Sequence, residues 1–198
     1  CGLDACTANA NLLKANMAPS LALLADVVRN PAFRDADIER LRAQWIAGIG
    51  QEKTQPVGLA LRVLPPLVYG AGHPYAIPFS GTGSEADIKA LSAADLRAWQ
   101  SAWLRPDNVR ILVAGDTTLP EITAQLDAVF GDWQAPAAGK GAKSIPQVAA
   151  QQKPRVFLID KPGAQQSLIL AGLLAPSTTA PNNLNIETMN DAFGGLFS

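Results

Sequence analysis

Apolar positions recur at helical spacing through much of this chain and give way to short continuous apolar runs at a few places. After Asn16, the residues Leu21, Leu24, Ala25 and Val28 form a stripe at steps of three and four, the signature of a helix with one buried face. The pattern predicts a helix opening at Met17-Ala-Pro19, with Asn16 as its cap. It stops at Asn30-Pro31, because the residue before a proline avoids helical geometry. Asp35 can cap a second helix to about Glu52, with Ile38, Leu41, Trp45, Ile46 and Ile49 facing inward and Glu39, Arg40 and Arg42 on the wet side. A third helix is predicted over Val57 to Leu67, up to the Pro65-Pro66 pair, followed by a polar loop from Gly70 to Gly83 and a short helix from Ser84 to Ala90. Ser92-Ala-Ala-Asp95 has the spacing of a capping box and opens a helix to about Leu104. Thr118-Leu-Pro-Glu121 opens another, carrying Ile122, Leu126, Val129 and Phe130 and closed by Gly131.

Four segments read as strands: Thr7 to Lys14, Val109 to Ala114, Arg155 to Asp160, and Ser167 to Leu173, the last two joined as a hairpin by Lys161-Pro-Gly-Ala-Gln165. A final helix starts at Asn182 or Asn183, runs through Ile186, Met189 and Phe193, and stops at Gly194-Gly195. Between these parts Gln134 to Gln152 loses periodicity and becomes Ala, Gly, Pro, Lys and Gln, the composition of an extended linker. The expected class is α+β. Residues 1–133 form the later part of one domain, 134–152 a linker, and 153–198 the beginning of the following domain, since a hairpin and one helix cannot bury both faces alone.

Composition narrows the functional classes. Charge is close to balanced, 16 basic against 17 acidic residues in 198, so no electrostatic footprint for nucleic acid is present. No apolar run approaches the roughly 18–20 residues of a membrane-spanning helix. No basic start with an apolar stretch marks a signal peptide, as expected if the chain begins in mid-protein. The two cysteines, Cys1 and Cys6, read as free thiols. A short-loop disulfide is the alternative, and would point to an oxidising compartment.

Candidate chemistry is sparse. The sole histidine, His73, sits in Tyr69-Gly-Ala-Gly-His-Pro-Tyr75. One imidazole cannot supply His-Glu-x-x-His or His-x-x-Glu-His, and no acid neighbours it in the loop, so His73 reads as a loop residue bonded to local backbone. Gly115-Asp116-Thr117-Thr118 and Gly81-Thr-Gly83 lack the spaced glycines of a phosphate cradle, and no Gly-x-Ser-x-Gly elbow is present. Trp45, Trp99 and Trp103 read as helix-packing residues. No catalytic residue and no metal ligand is assigned.

Several segments, in order, resemble the pitrilysin/insulinase family of inverted-motif zinc metallopeptidases. They are Leu21 to Phe33, Ile38-Glu-Arg-Leu-Arg42, Tyr69 to Tyr75, Ile88 to Leu96, Trp103-Leu-Arg-Pro-Asp-Asn108, Val113-Ala-Gly-Asp116, Phe130-Gly-Asp-Trp133 and Asn190 to Ser198. The resemblance implies paired, similar α+β domains, each with a mostly antiparallel sheet flanked by helices, closing around a peptide. Active members carry His-x-x-Glu-His and a further glutamate downstream. The equivalent place here falls at about Gly48, within Ala47-Gly-Ile-Gly50, where no side chain can bind metal. The implied role is a catalytically silent, peptide-enclosing half, inactive by itself and without a cofactor. Zinc and the general base would come from another segment or a homologous subunit. The turn at Gly194 and Gly195 would face substrate. The alternative is a structural or assembly module of the same fold without peptidase activity. The compartment is unknown from the sequence; the resemblance leans towards the periplasm or cell envelope.

Overall fold

The computed structural model describes residues 1–149 and 153–194. Among them the regular structure is helical: α1 (Met17–Arg29), α2 (Asp35–Thr54), α3 (Pro56–Tyr69), α4 (Glu85–Ala90), α5 (Ala93–Trp103), α6 (Leu119–Phe130) and α7 (Asn183–Gly194), with short 3-10 turns at Lys14–Asn16 and Pro106–Asn108. This overturns the expected α+β class and its mostly antiparallel sheets, because no strand occurs among the described residues. The segments 109–114, 155–160 and 167–173 carry the side-chain pattern of strands. A strand, however, is a property of two backbones bonded together, and none of these segments enters a ladder. Their side chains show the cost: Leu112, Val156, Leu158 and Ile169 are 93%, 95%, 96% and 92% exposed. The predicted hairpin is correct only at its turn, where Ala164 N–H donates to the Lys161 carbonyl at 3.2 Å around Gly163, whose φ is +78°. Residues 7–13 are likewise irregular.

The helices form two packed groups. α1 lies on α6, burying Leu21 and Ala25 of the first and Ile122 of the second. α2 packs on α3 and α4 and buries Ile49 completely. Polar side chains finish the helix ends, where the last carbonyls of any helix lack internal partners. Gln100 of α5 donates to the carbonyls of Val28 and Arg29 at the end of α1 (3.3 and 3.0 Å). Arg29 donates to the Val129 carbonyl at 2.6 Å and pairs with Asp132 at 2.8 Å, tying the ends of α1 and α6 together. Arg42, expected on the wet side, is drawn across α2 to the carbonyls of Ile88, Lys89 and Leu91 and closes α4.

α3 runs straight through the expected stop at Pro65-Pro66. A proline at 65 has no N–H for the Leu61 carbonyl. The Phe79 N–H, arriving from the following loop, donates to that carbonyl instead at 3.2 Å. The corner between α2 and α3 is equally demanding: a Cβ at Gly58 would stand 2.5 Å from the Glu52 carbonyl oxygen, so only glycine lets the two helices pass.

Within the segment 134–149, which we call the strap, residues between Pro136 and Pro146 are bonded to preceding elements. Arg105, only 4% exposed, chelates Asp107 and donates to the carbonyls of Ala138 (2.5 Å) and Pro136 (3.2 Å). Gly141 N–H donates to Ala102 at 3.0 Å, and Gly141 lies so close to Trp103 that a Cβ would fall 2.4 Å from the indole. Lys143 reaches Asp4, and the Pro146 carbonyl meets His73.

Caps separate the local signals that act from those that do not. Ser92 and Asp95 make both bonds of the capping box on α5, whereas Asn16 makes no side-chain cap bond on α1. Asp35 lies inside the first turn of α2 and Arg34 occupies the cap position. Ser92→Ala is expected to cost about 1 kcal/mol and Asn16→Ala less than about 0.5 kcal/mol, measured by urea unfolding of the two variants.

Candidate functional site

Three loop regions carry the polar chemistry of the molecule: the end of α3 with the loop to α4, the N-terminal segment, and the strap 134–149. His73 joins the first and the last. Its Nδ1 accepts the Tyr75 backbone N–H at 3.0 Å, which assigns the proton to Nε2, and Nε2 then donates to the Pro146 carbonyl at 3.0 Å. The ring stacks on Tyr69 with centroids 5.1 Å apart, and Tyr75 meets Tyr69 edge-on. With both nitrogens engaged and no acid on the ring, His73 is set neither as a metal ligand nor as a base.

Tyr75 extends the cluster. Its hydroxyl donates to Asp4 Oδ1 at 2.8 Å, and Lys143 Nζ donates to the same oxygen at 3.0 Å and to the Asp4 carbonyl at 2.8 Å. The bonds from Lys143, then Tyr75, hold the Asp4 carboxyl below the usual aspartate range. The same carboxylate pushes the Tyr75 hydroxyl above the ordinary tyrosine value. Asp4 lies between Cys1 and Cys6, which are joined as a disulfide rather than free.

On the other side of the loop stands a second, more enclosed network. Arg62 of α3 donates to Glu52 Oε2 at 2.6 Å, to Thr82 Oγ1 at 2.7 Å and to the Gly83 carbonyl at 2.6 Å. Thr82 and Ser80 donate to the same Glu52 oxygen at 3.0 and 3.2 Å, and Trp45 Nε1 donates to the Thr82 carbonyl at 3.0 Å. Burial raises the Glu52 pKa, but the bonds from Arg62, Thr82 and Ser80 together outweigh it and leave the carboxyl below its ordinary value. The Gly81-Thr-Gly83 turn is thus bound to the helix pair and offers no anion cradle.

Zinc, which the resemblance brings into question, does not fit these residues. Gly48 and Gly50 stand within α2 with nothing inside 4 Å of where a Cβ would be, so the place of the expected carboxylate is open space. Glu52, the nearest acid, has one oxygen committed to three donors. Among the described residues no three His, Cys, Asp or Glu side chains come together as a metal group. Gly194 is the last residue of α7, and a Cβ there would also meet nothing within 4 Å; Gly195 lies outside the described residues. Asp116 pairs with Lys14 at 3.3 Å, and Thr118 caps α6 by accepting from Glu121 N–H.

One cavity of about 540 Å³ opens between the α2–α3 corner (Thr54–Pro56) and the turn Lys161–Gln166. Sequence reasoning noted both segments, as a helix break and as a turn, but nothing local says that they meet. Asp4, Glu52, Arg62, Arg105 and Lys143 were likewise missed as organising residues. An apolar-face position for Arg62, in the otherwise uncharged run 56–69, was the one available hint.

Residues 90–198, more than half of the chain, match the family described as the Peptidase M16 inactive domain. This bears out the resemblance to the non-catalytic half of a pitrilysin/insulinase-type peptidase. No curated protein matches the chain.

Arg62 and Glu52 are 11% and 23% exposed at their side chains, so Arg62→Met strands a partly enclosed carboxylate and is expected to cost about 2–3 kcal/mol, against less than about 0.5 kcal/mol for Arg40→Ala on the exposed pair with Asp37. Since the Glu52 pKa is depressed on folding, its stabilisation is full above the ordinary glutamate value of 4.5 and is lost as pH falls through the lower folded value. Urea midpoints taken from pH 7 down to pH 3 should therefore fall more steeply for the wild-type chain than for Arg62→Met.

Proposed function

The chain belongs to the M16 peptidase family through its inactive domain, and from that premise we propose that it supplies the catalytically silent, peptide-enclosing half of a zinc metallopeptidase. Zinc and the general base then reside in another segment or a homologous subunit. The observation that carries this reading is the match of residues 90–198 to an inactive rather than a catalytic domain. The unfilled space at Gly48 and Gly50, the engagement of both His73 nitrogens and the three donors on one Glu52 oxygen support it. A cleaving site needs an opposing wall that excludes water and holds the substrate extended, and a metal-free domain serves as that wall.

In this reading residues 1–133 close one domain, 134–152 carry the chain across, and 153–198 open the next. The exposed apolar rows at 109–114, 155–160 and 167–173 support a second half or subunit covering this one, since contiguous apolar surface of that kind marks interaction sites. The same rows would serve a pure assembly module, so the two readings part at substrate and not at association.

Gly194 tests that difference. A Cβ added there meets nothing within 4 Å among the described residues, so Gly194→Leu should leave the melting temperature unchanged while raising the KM of the assembled peptidase for a peptide several-fold. An unchanged KM returns the chain to the assembly role. Elemental analysis of this chain alone should find no stoichiometric zinc, against about one per catalytic site in the assembled protein. Tightly held zinc on the isolated chain, or peptide cleavage by it unaided, would refute the proposal.

A further inference from the structure

The N-terminal ring closed by Cys1–Cys6 encloses the residue that holds the strap. Within the ring, Gly2 N–H donates to the Ala5 carbonyl at 2.8 Å, so the short loop folds on itself and presents Asp4 outward. Asp4 takes Lys143 of the strap by two oxygens, side chain and backbone, and takes Tyr75 of the His73 loop by its carboxylate. Two oxygens of one residue can chelate an ammonium only if both φ/ψ and side chain are fixed together. Asp4 belongs to no helix, and all of residues 1–11 are exposed. The ring adds a covalent constraint on it. We propose that the Cys1–Cys6 disulfide is a redox-operated anchor: closed, it locks the strap 134–149 against the His73 loop through Asp4; opened, it releases Lys143 and Tyr75 together.

The chemistry needs a dithiol reductant. One of its thiolates attacks a sulfur of the Cys1–Cys6 bond, forming a mixed disulfide and expelling the other cysteine as a thiolate, which takes a proton. The second thiol of the reductant then displaces the remaining cysteine, so that two electrons and two protons pass to the chain and the reductant leaves as a cyclic disulfide. Exposure of both cysteines gives such a reagent access. In an oxidising compartment the anchor stays closed. Opening it does not unfold the strap elsewhere, because Arg105 and Ala102 still hold residues 136–141 and His73 still holds Pro146. The release is confined to the stretch around Lys143 and to the contact of Tyr75.

Trypsin reads this directly, since its specificity pocket must take the ammonium that Asp4 holds. The full chain is compared as oxidised protein and after reduction with dithiothreitol, capping of the two thiols with iodoacetamide and removal of the reagents. Cleavage after Lys143 is timed by mass spectrometry, with cleavage after Lys140 as the internal reference. Opening should speed the cut at Lys143 at least about threefold relative to that at Lys140. Asp4→Asn should show the faster cut while still oxidised, with no further gain on reduction, and Cys1→Ser/Cys6→Ser should behave as the reduced chain without any reductant. Equal rates in the oxidised and reduced chains, or an equal acceleration at both lysines, would overturn the anchor.

Discussion

The guanidinium of Arg62 is the joint on which the centre of the molecule turns. It faces one oxygen of Glu52, the hydroxyl of Thr82 and the carbonyl of Gly83, and so binds α2, α3 and the loop to α4 at one point. The arrangement works because every partner is satisfied: two hydroxyls complete the coordination of the same Glu52 oxygen, and no buried side-chain polar atom among the described residues lacks a hydrogen bond. A charge pair this enclosed gains little over an apolar core of the same shape. It gives definition instead, because only one path of the loop places both hydroxyls and the carbonyl within reach of one planar fork.

Arginine plays the same part at the other irregular stretches. Arg42 closes α4, Arg29 joins the ends of α1 and α6, and Arg105 takes the first turn of the strap. Among the described residues few side chains are buried, the apolar ones being Leu21, Ala25, Ile49, Pro65 and Ile122. Backbone carbonyls outside helices, those of Gly83, Leu91, Pro136 and Ala138, find partners in arginine side chains. This division of labour leaves the imidazole of His73 and the carboxylates of Asp4 and Glu52 occupied by structure.

Helices were legible in the sequence wherever the deciding contact is local. Ser92 and Asp95 are three residues apart and make the cap that their spacing promises. The stripe Leu21, Leu24, Ala25 and Val28 faces inward as its period requires. The errors share one cause, which is that the deciding partner lies far along the chain. Val109 to Ala114 has strand-like composition, yet strand formation depends on a second backbone that no single run announces. Arg42 looked like a wet-side charge because the carbonyls it closes come from α4 and Leu91. The site was legible only in outline: the glycine at 48 and the lone imidazole were readable, while the ring around Asp4 needed the fold.

The bond from Phe79 to Leu61 has a kinetic side. Up to Leu64, α3 can grow by local steps, each fixing one residue for one bond. Beyond Pro65 its continuation leans on an amide that arrives only after the chain has doubled back between positions 61 and 79. The entropy of that closure must be met before the helix is whole. The second half of α3 and the loop behind it are in this sense coupled, although one part is regular structure and the other is not.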